Sequence, residues 1–283
     1  MRALSSDWLN DLEKSEDVFW SQETNLLRPV MPWLTPPVYP VLKRFIERNG
    51  VRKHFSAGEL LIDPTEPVTS ISVVERGITL RGAGAGGVDS PAAAYSTPGR
   101  LACGNLNFFS QQACAGTYSA ATDATVVFCS QKVMREACRQ DSALLSIIAK
   151  QFEMCALSDR LGFIAHKFLS VEERLACFLL SWCTYYGNKH IGVDRDFWIE
   201  SPAPLRGESL RAVLGCSVSA FQRVMRAFYA NPMVRLVDDT LYLNLSFLRP
   251  VHEWLCIASE GSQRYREFGF CFNDRKHPMP VVL

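Results

Sequence analysis

The stretch LRGESLRAVLGCSVSAFQRVMRAFYANPMV, residues 205–234, decides how the chain is read. Leu205, Leu210, Val213 and Leu214 recur at helical spacing, Gly215 breaks the run, and Ser217 restarts it with Phe221, Val224, Met225 and Phe228. The pattern predicts helix, tight turn, helix. Gly215 takes the positive φ such a turn needs, and Ser217 caps the second helix by accepting a backbone N–H. That helix carries Arg223 and Arg226 and no acid between Ser217 and Ala230, a polar face suited to phosphates and base edges. This is a helix-turn-helix signature; an ordinary helical hairpin is the alternative on these residues alone. Asn231-Pro232 ends the helix. Two β-rich runs, 234–237 and 241–243, then flank Asp238-Asp239-Thr240 and predict a hairpin. The sum is a winged helix whose acidic wing tip is a poor contact for phosphate.

Working outward, the 283 residues are 48% hydrophobic and 21% charged, enough for two or three small globular units. The formal net charge is only +1, so a nucleic-acid role has to be argued locally. Residues 201–250 hold six arginines against three acids, a modest excess that a solvated surface explains equally well. Residues 1–20 alternate charged and apolar positions and lack the apolar core of a secretory signal. The longest apolar segment, near 175–183, is far short of the ~20 residues of a membrane span. A soluble, cytoplasmic protein with no membrane partner is expected. None of the ten cysteines forms a C-x-x-C pair. They read as buried reduced thiols rather than metal or cluster ligands, and neither a metal nor a cofactor is expected.

Residues 1–40 read as an N-terminal extension with an amphipathic start at Trp8, Leu9 and Leu12. Pro29, Pro32, Pro36, Pro37 and Pro40 then prevent a continuous helix. Residues 41–49 predict a short helix closed by Gly50. From Phe55 the period changes: β-rich pieces at 60–62, 70–74, 78–80, 118–122 and 125–129 predict a small antiparallel barrel or roll.

Phe55, Gly58, Glu59, Leu60, Glu66, Pro67, Ser72, Val73, Gly77 and Leu80 resemble the opening of the cyclic-nucleotide-binding roll of the cyclic-AMP receptor / fumarate-nitrate regulator (Crp/Fnr) family of bacterial transcription factors. Pro98-Gly99 and Gly104-Asn105-Leu106 resemble its next landmarks, and Leu214-Gly215-Cys216-Ser217 resembles its helix-turn-helix at the right distance downstream. The resemblance covers about residues 41–250. It implies an α+β architecture: a cyclic-nucleotide-binding-like β-roll sensor at 41–140, a dimerisation helix at 141–167 and a winged helix-turn-helix domain at 168–250, followed by a C-terminal tail at 251–283. The run Gly82-Ala83-Gly84-Ala85-Gly86-Gly87 matches G-x-G-x-x-G. Val88-Asp89-Ser90-Pro91 opens no helix after it, so it reads as a hairpin loop and not a dinucleotide site.

Between roll and helix-turn-helix, Leu145, Ile148, Phe152, Cys155, Asp159, Gly162 and His166 recur in steps of three and four, a heptad seam. The resemblance implies pairing with a twin helix across a dimer axis; a helix packed on its own roll is the alternative. Asp159 is costly there if buried unpaired, and is expected in loose pairing or against Arg160 of a second copy. Residues 168–175 resemble the family's hinge, and residues 185–199 read as a loop with one strand.

In the family a Gly-Glu-Leu turn and a later Arg-Ser pair hold the nucleotide. The corresponding effector-pocket positions here are Gly104, Asn105, Leu106, Cys114 and Ala115, with no arginine or lysine between Leu101 and Gln131. A buried phosphate would forfeit charge-assisted hydrogen bonds worth about 1.5–3 kcal/mol each, which argues against cyclic AMP or GMP. The roll then binds another, uncharged or aromatic, small molecule, senses redox state through Cys103 or Cys114, or binds nothing. Ser217 caps the reading helix, and carried over by position the base-reading residues are Val218, Ser219, Gln222 and Arg223. Ser219 stands where the family commonly has glutamate. Arg226 and Arg206 are candidate phosphate contacts.

The sequence therefore reads as a homodimeric, non-enzymatic regulator of the Crp/Fnr type. Double-stranded DNA, a second copy, RNA polymerase and an unidentified effector are its expected partners. A protein whose helix-turn-helix serves protein interaction is the alternative. A cupin-type metalloenzyme needs a His-x-His pair that the five histidines do not supply.

Overall fold

The computed structural model describes residues 30–83, 92–113, 116–191, 197–202, 207–258 and 273–274. The chain divides into two compact units, Met1–Gly162 and Phe163–Leu283.

The first unit opens with residues 30–38 in irregular, almost wholly buried conformation and helix α1 (Pro40–Asn49), started by a proline in its first turn. Eight strands follow: β1 (Val51–Phe55), β2 (Leu60–Ile62), β3 (Ser70–Arg76), β4 (Thr79–Ala83), β5 (Ala92–Ser96), β6 (Leu101–Cys103), β7 (Gly116–Ala120) and β8 (Ala124–Ser130). They form two antiparallel sheets, ordered β1-β8-β3-β6 and β2-β7-β4-β5, which is the roll expected from the short β-rich runs. Its interior is filled by side chains, among them Phe55, Val74, Cys103, Tyr118 and Val126. Strand alternation sends Ile71, Val73, Val127 and Cys129 to the outer face of the first sheet, and Leu101 joins them where the β3–β6 register shifts. There they form one core with Leu42 and Ile46 of α1, Met134 of α2 (Gln131–Gln140), and Leu144, Ile148 and Cys155 of α3 (Ser142–Phe168).

One face of the long helix α3 is thus packed on its own roll. Ile148 and Cys155, named for the interface, are buried against their own roll, as the alternative reading had it. Asp159 pairs with Arg81 of β4. Phe152 is half-buried against Phe108 and Phe109, with ring centroids 6.4 and 5.7 Å away. Leu145 is 43% exposed. Apolar residues on the solvent side of α3, Leu145, Ala149, Ala156 and Phe163, fall at steps of four, seven and seven.

In the second unit Ser170 begins α4 (Val171–Tyr186) with a complete capping box: its side chain accepts from Glu173 N–H at 3.2 Å, and Glu173 accepts from Ser170 N–H at 2.8 Å. This helix is buried nearly all round because α5 (Gly207–Leu214), α6 (Val218–Tyr229), α7 (Leu245–Ala258) and β10 (Phe197–Pro202) surround it. The expected loop at 185–199 instead holds β9 (Asn188–Ile191) and the start of β10. With β11 (Val234–Val237), β12 (Thr240–Asn244) and β13 (Asn273–Asp274) these make a sheet ordered β11-β12-β10-β9-β13. Alternation in this region is masked by charge, which is why one strand was missed. α7 runs across the expected boundary at residue 250, burying Leu248, Val251 and Leu255, and β13 pairs in parallel with β9. Among the described residues no helix is long and apolar enough to cross a membrane.

Two charge arrangements carry measurable consequences. Arg81 is the more deeply buried partner of the Arg81–Asp159 pair, at 8% against 29% side-chain exposure, so Asp159→Ala strands a guanidinium in the interior. A loss of about 3 kcal/mol is expected in urea unfolding, most of it recovered in the double variant Arg81→Leu/Asp159→Leu. In the second unit Arg174 Nη1 lies 2.7 Å from His166 Nδ1, a geometry that requires a neutral imidazole accepting from the guanidinium. Burial first, and then the Arg174 charge, push the His166 pKa down to about 4, against a backbone hydrogen bond to Val213. Below the ordinary histidine pKa the unfolded chain takes up a proton that the folded one refuses. Stability is therefore lost as pH falls from about 6.5 towards 4, and His166→Gln flattens that slope in pH-dependent melting curves.

Candidate nucleic-acid interface and sensor roll

The helix-turn-helix is built as its residues demand. α5 buries Leu210, Val213 and Leu214, and Gly215 takes φ 56° in the turn. Arg211 ties the turn from the side, donating to the Cys216 carbonyl at 3.2 Å while pairing with Glu208 at 2.6 Å. Ser217 Oγ accepts from Ala220 N–H at 3.3 Å and caps α6. α6 then sends Val224 and Phe228 inward, and the Phe228 ring meets Phe247 of α7 at 5.8 Å. These anchors fix the helix rotation. The side chains of Val218, Ser219, Gln222, Arg223 and Arg226 are left together on the exposed face, the arrangement a groove-reading helix requires. Arg223 Nη2 stands 3.9 Å from Glu172 Oε1 in a solvent-exposed pair, too weak to withhold the guanidinium from a stronger acceptor. Arg226 Nε donates to the Gln222 carbonyl at 3.4 Å. Arg206 lies outside the described residues.

The wing turns through Asp238 and Asp239, both left-handed at φ 44° and 65°, the backbone of a tight two-residue hairpin. Arg235 of β11 stacks over Trp198 at 4.3 Å, so this cation supports the wing's own sheet.

In the roll, Gly104 adopts φ 92° and sits so close to β3 that a Cβ there would lie 2.6 Å from Ile71 Cα. The turn is welded to the sheet. Asn105 is half-buried and Leu106 exposed, while Cys114 and Ala115 lie outside the described residues. Cys103 is buried with its Sγ 2.8 Å from Ser72 Oγ. Burial pushes the thiols of Cys155, Cys177 and Cys183 up to about 12 and that of Cys129 to about 11, the behaviour of inert packing residues. Among the described residues no group of three His, Cys, Asp or Glu side chains could hold a metal ion.

The sequence reading missed the cations that the roll does contain. Arg81 and Arg100 are both buried, reaching the junction of roll and α3 from strands and turns outside residues 101–131. Arg100 donates to Thr97 Oγ1 at 2.9 Å and to the Thr35 carbonyl. Gln151 and Ser158 of α3 and Trp33 meet at the same junction. Arg81 stands in the alternation of a strand and Arg100 after a Pro-Gly turn; neither pattern distinguishes them from surface arginines.

No protein-family model and no curated protein matches the sequence. Solved structures do match. FixK2 from Bradyrhizobium japonicum superposes with TM-score 0.59 at 13% identity, over 72% of this chain and 96% of that one. CprK in complex with OCPA gives TM-score 0.57 at 17% identity, over 79% and 98%. The c-di-GMP responsive global regulator CLP of Xanthomonas campestris gives 0.55 at 16% identity, over 71% and 97%. The chain has the fold of the Crp/Fnr regulators, a cyclic-nucleotide-binding-type β-roll followed by a helix-turn-helix unit.

Proposed function

We propose that the protein is a DNA-binding transcription regulator of the Crp/Fnr type, acting as a homodimer on a palindromic site, and not an enzyme. The observation that carries this reading is the α6 face: Val218, Ser219, Gln222, Arg223 and Arg226 share the exposed side of a helix whose other side is anchored by Val224 and Phe228. Arg223 grips guanine O6 and N7, Gln222 reads adenine, Val218 meets a thymine methyl, and Arg226 and Arg206 neutralise phosphates. The second copy docks along Leu145, Ala149, Ala156 and Phe163 of α3, where Phe163 is 73% exposed and the alanines let two helices approach closely. Two α6 helices then read half-sites about 34 Å apart. RNA polymerase is the downstream partner of such a regulator. A protein-binding role for the same face is the second reading, favoured by Val218 and Tyr229, which are 51% and 54% exposed.

Selection of duplexes from a random pool, by the wild-type chain and by Arg223→Ala, tests the reading. A two-fold-symmetric motif is expected from the wild type, with affinity reduced about 10- to 100-fold in the variant and falling steeply as salt rises. A chain that enriches no motif, or whose binding ignores salt, is not a DNA reader.

A further inference from the structure

The junction between the roll and α3 is lined by buried polar groups, and what satisfies them is the chain's own N-terminal segment. Gln151, 0% exposed, donates from Nε2 to the Pro36 carbonyl at 3.4 Å and accepts from Tyr39 N–H at 3.1 Å. Ser158 Oγ lies 2.8 Å from the Met31 carbonyl and 3.1 Å from that of Leu34. From the roll, Arg100 donates to the Thr35 carbonyl and Ser96 Oγ to Thr35 Oγ1 at 2.7 Å. The segment also pairs with the roll as an added edge: Tyr95 N–H donates to the Trp33 carbonyl at 2.7 Å, Thr35 N–H to the Tyr95 carbonyl at 3.0 Å and Val38 N–H to the Gly99 carbonyl at 2.9 Å.

At its centre Trp33 is fully buried, with a left-handed backbone at φ 60°. A bulky residue holds that conformation only where its surroundings over-determine it, and such strain gathers at ligand clamps and switches. The indole lies on the backbone of Gly162, where a Cβ would come within 2.9 Å of the ring's Cδ1 and 3.0 Å of Nε1. A glycine weakens a helix interior; this one makes room for the ring. Gly162 is also the last residue of the first unit, and α3 runs unbroken past it to Phe168 in the second.

We propose that the cleft between the roll and α3 is an effector seat with a built-in occupant. Residues 30–38 fill it, the Trp33 indole stands where a planar aromatic ligand would lie, and the chain reads DNA without a diffusible effector. This rests on the DNA-reading function above. Occupancy of the seat fixes α3 at the glycine through which the helix enters the second unit, and DNA affinity tracks that occupancy.

The test uses the full chain, Trp33→Ala, and indole itself as the probe. The wild type binds its selected duplex with no added small molecule and ignores indole. The variant binds about tenfold or more weakly, and millimolar indole restores affinity to within a few-fold while raising its melting temperature. Gly162→Ala, which closes the seat with a methyl group, weakens binding without indole rescue. Should Trp33→Ala not fold, Trp33→Phe, which half-fills the seat, is put through the same assay. A folded variant that indole stabilises but whose DNA affinity equals the wild type's overturns the proposal, because the segment is then packing alone. So does a folded, weakened variant on which indole has no effect. A wild-type chain that selects no duplex fails the DNA-reading function instead, a result read before any variant is made.

Discussion

Gln151 and Ser158 lie on the face of a long helix that is turned into the protein, and both are sealed from solvent. Polar groups in that position cost stability unless hydrogen-bonded, and the cations that the roll brings there, Arg81 and Arg100, are themselves donors. What the junction needs is acceptors. Residues 30–38 supply peptide carbonyls, and their composition fits the task. Pro32, Pro36 and Pro37 have no N–H, so they bring acceptors without adding donors that would need burying in turn. The proline richness that rules out a helix there is what suits the segment to a cleft lined by donors. Its removal would take from Gln151, Ser158 and Arg100 the carbonyls of Pro36, Met31, Leu34 and Thr35 that they now meet.

The same economy shapes the long helix. One face is committed to the roll through Leu144, Ile148 and Cys155, and a helix cannot present one residue to two neighbours. The exposed apolar positions Leu145, Ala149, Ala156 and Phe163 lie on another face at heptad spacing, the face on which the proposed second copy docks. Asp159, awkward in any apolar seam, lies beside the roll, where Arg81 answers it. Burial raises the Asp159 carboxyl pKa against the pull of that guanidinium, so the pair holds α3 in place at some cost in stability.

Much of this was legible in the chain because it is written locally. Gly215, Ser217 and the apolar spacing of residues 210–228 fix two helices and a turn, and Asp238-Asp239 can turn a hairpin whatever lies beyond. The short β-rich runs likewise announced a roll. What stayed hidden depends on contacts between distant segments. Heptad periodicity in α3 shows which residues share a face but not whether that face meets a roll or a twin. Trp33 lies 129 positions from Gly162 in sequence, and only the fold reveals that the glycine exists for the ring. One of the two strands among charged residues at 188–202 was obscured because partners on both sides, β12 and β13, are supplied from downstream.

A local detail of α6 bears on what its exposed face can contact. Ser219, standing where glutamate is common in the family, has its hydroxyl 3.1 Å from Ser217 Oγ, the oxygen that caps α6. Whichever hydroxyl donates, Ser219 is drawn towards the helix end and away from a base edge. A glutamate there would accept from cytosine N4, whereas a short hydroxyl discriminates between bases poorly. Under the proposed DNA-reading function the burden of base recognition falls further along the exposed face on Arg223, whose planar fork matches guanine O6 and N7, and on Gln222, which matches adenine. Glu172, 3.9 Å from that fork, is only a weak counter-ion to it in a solvent-exposed pair.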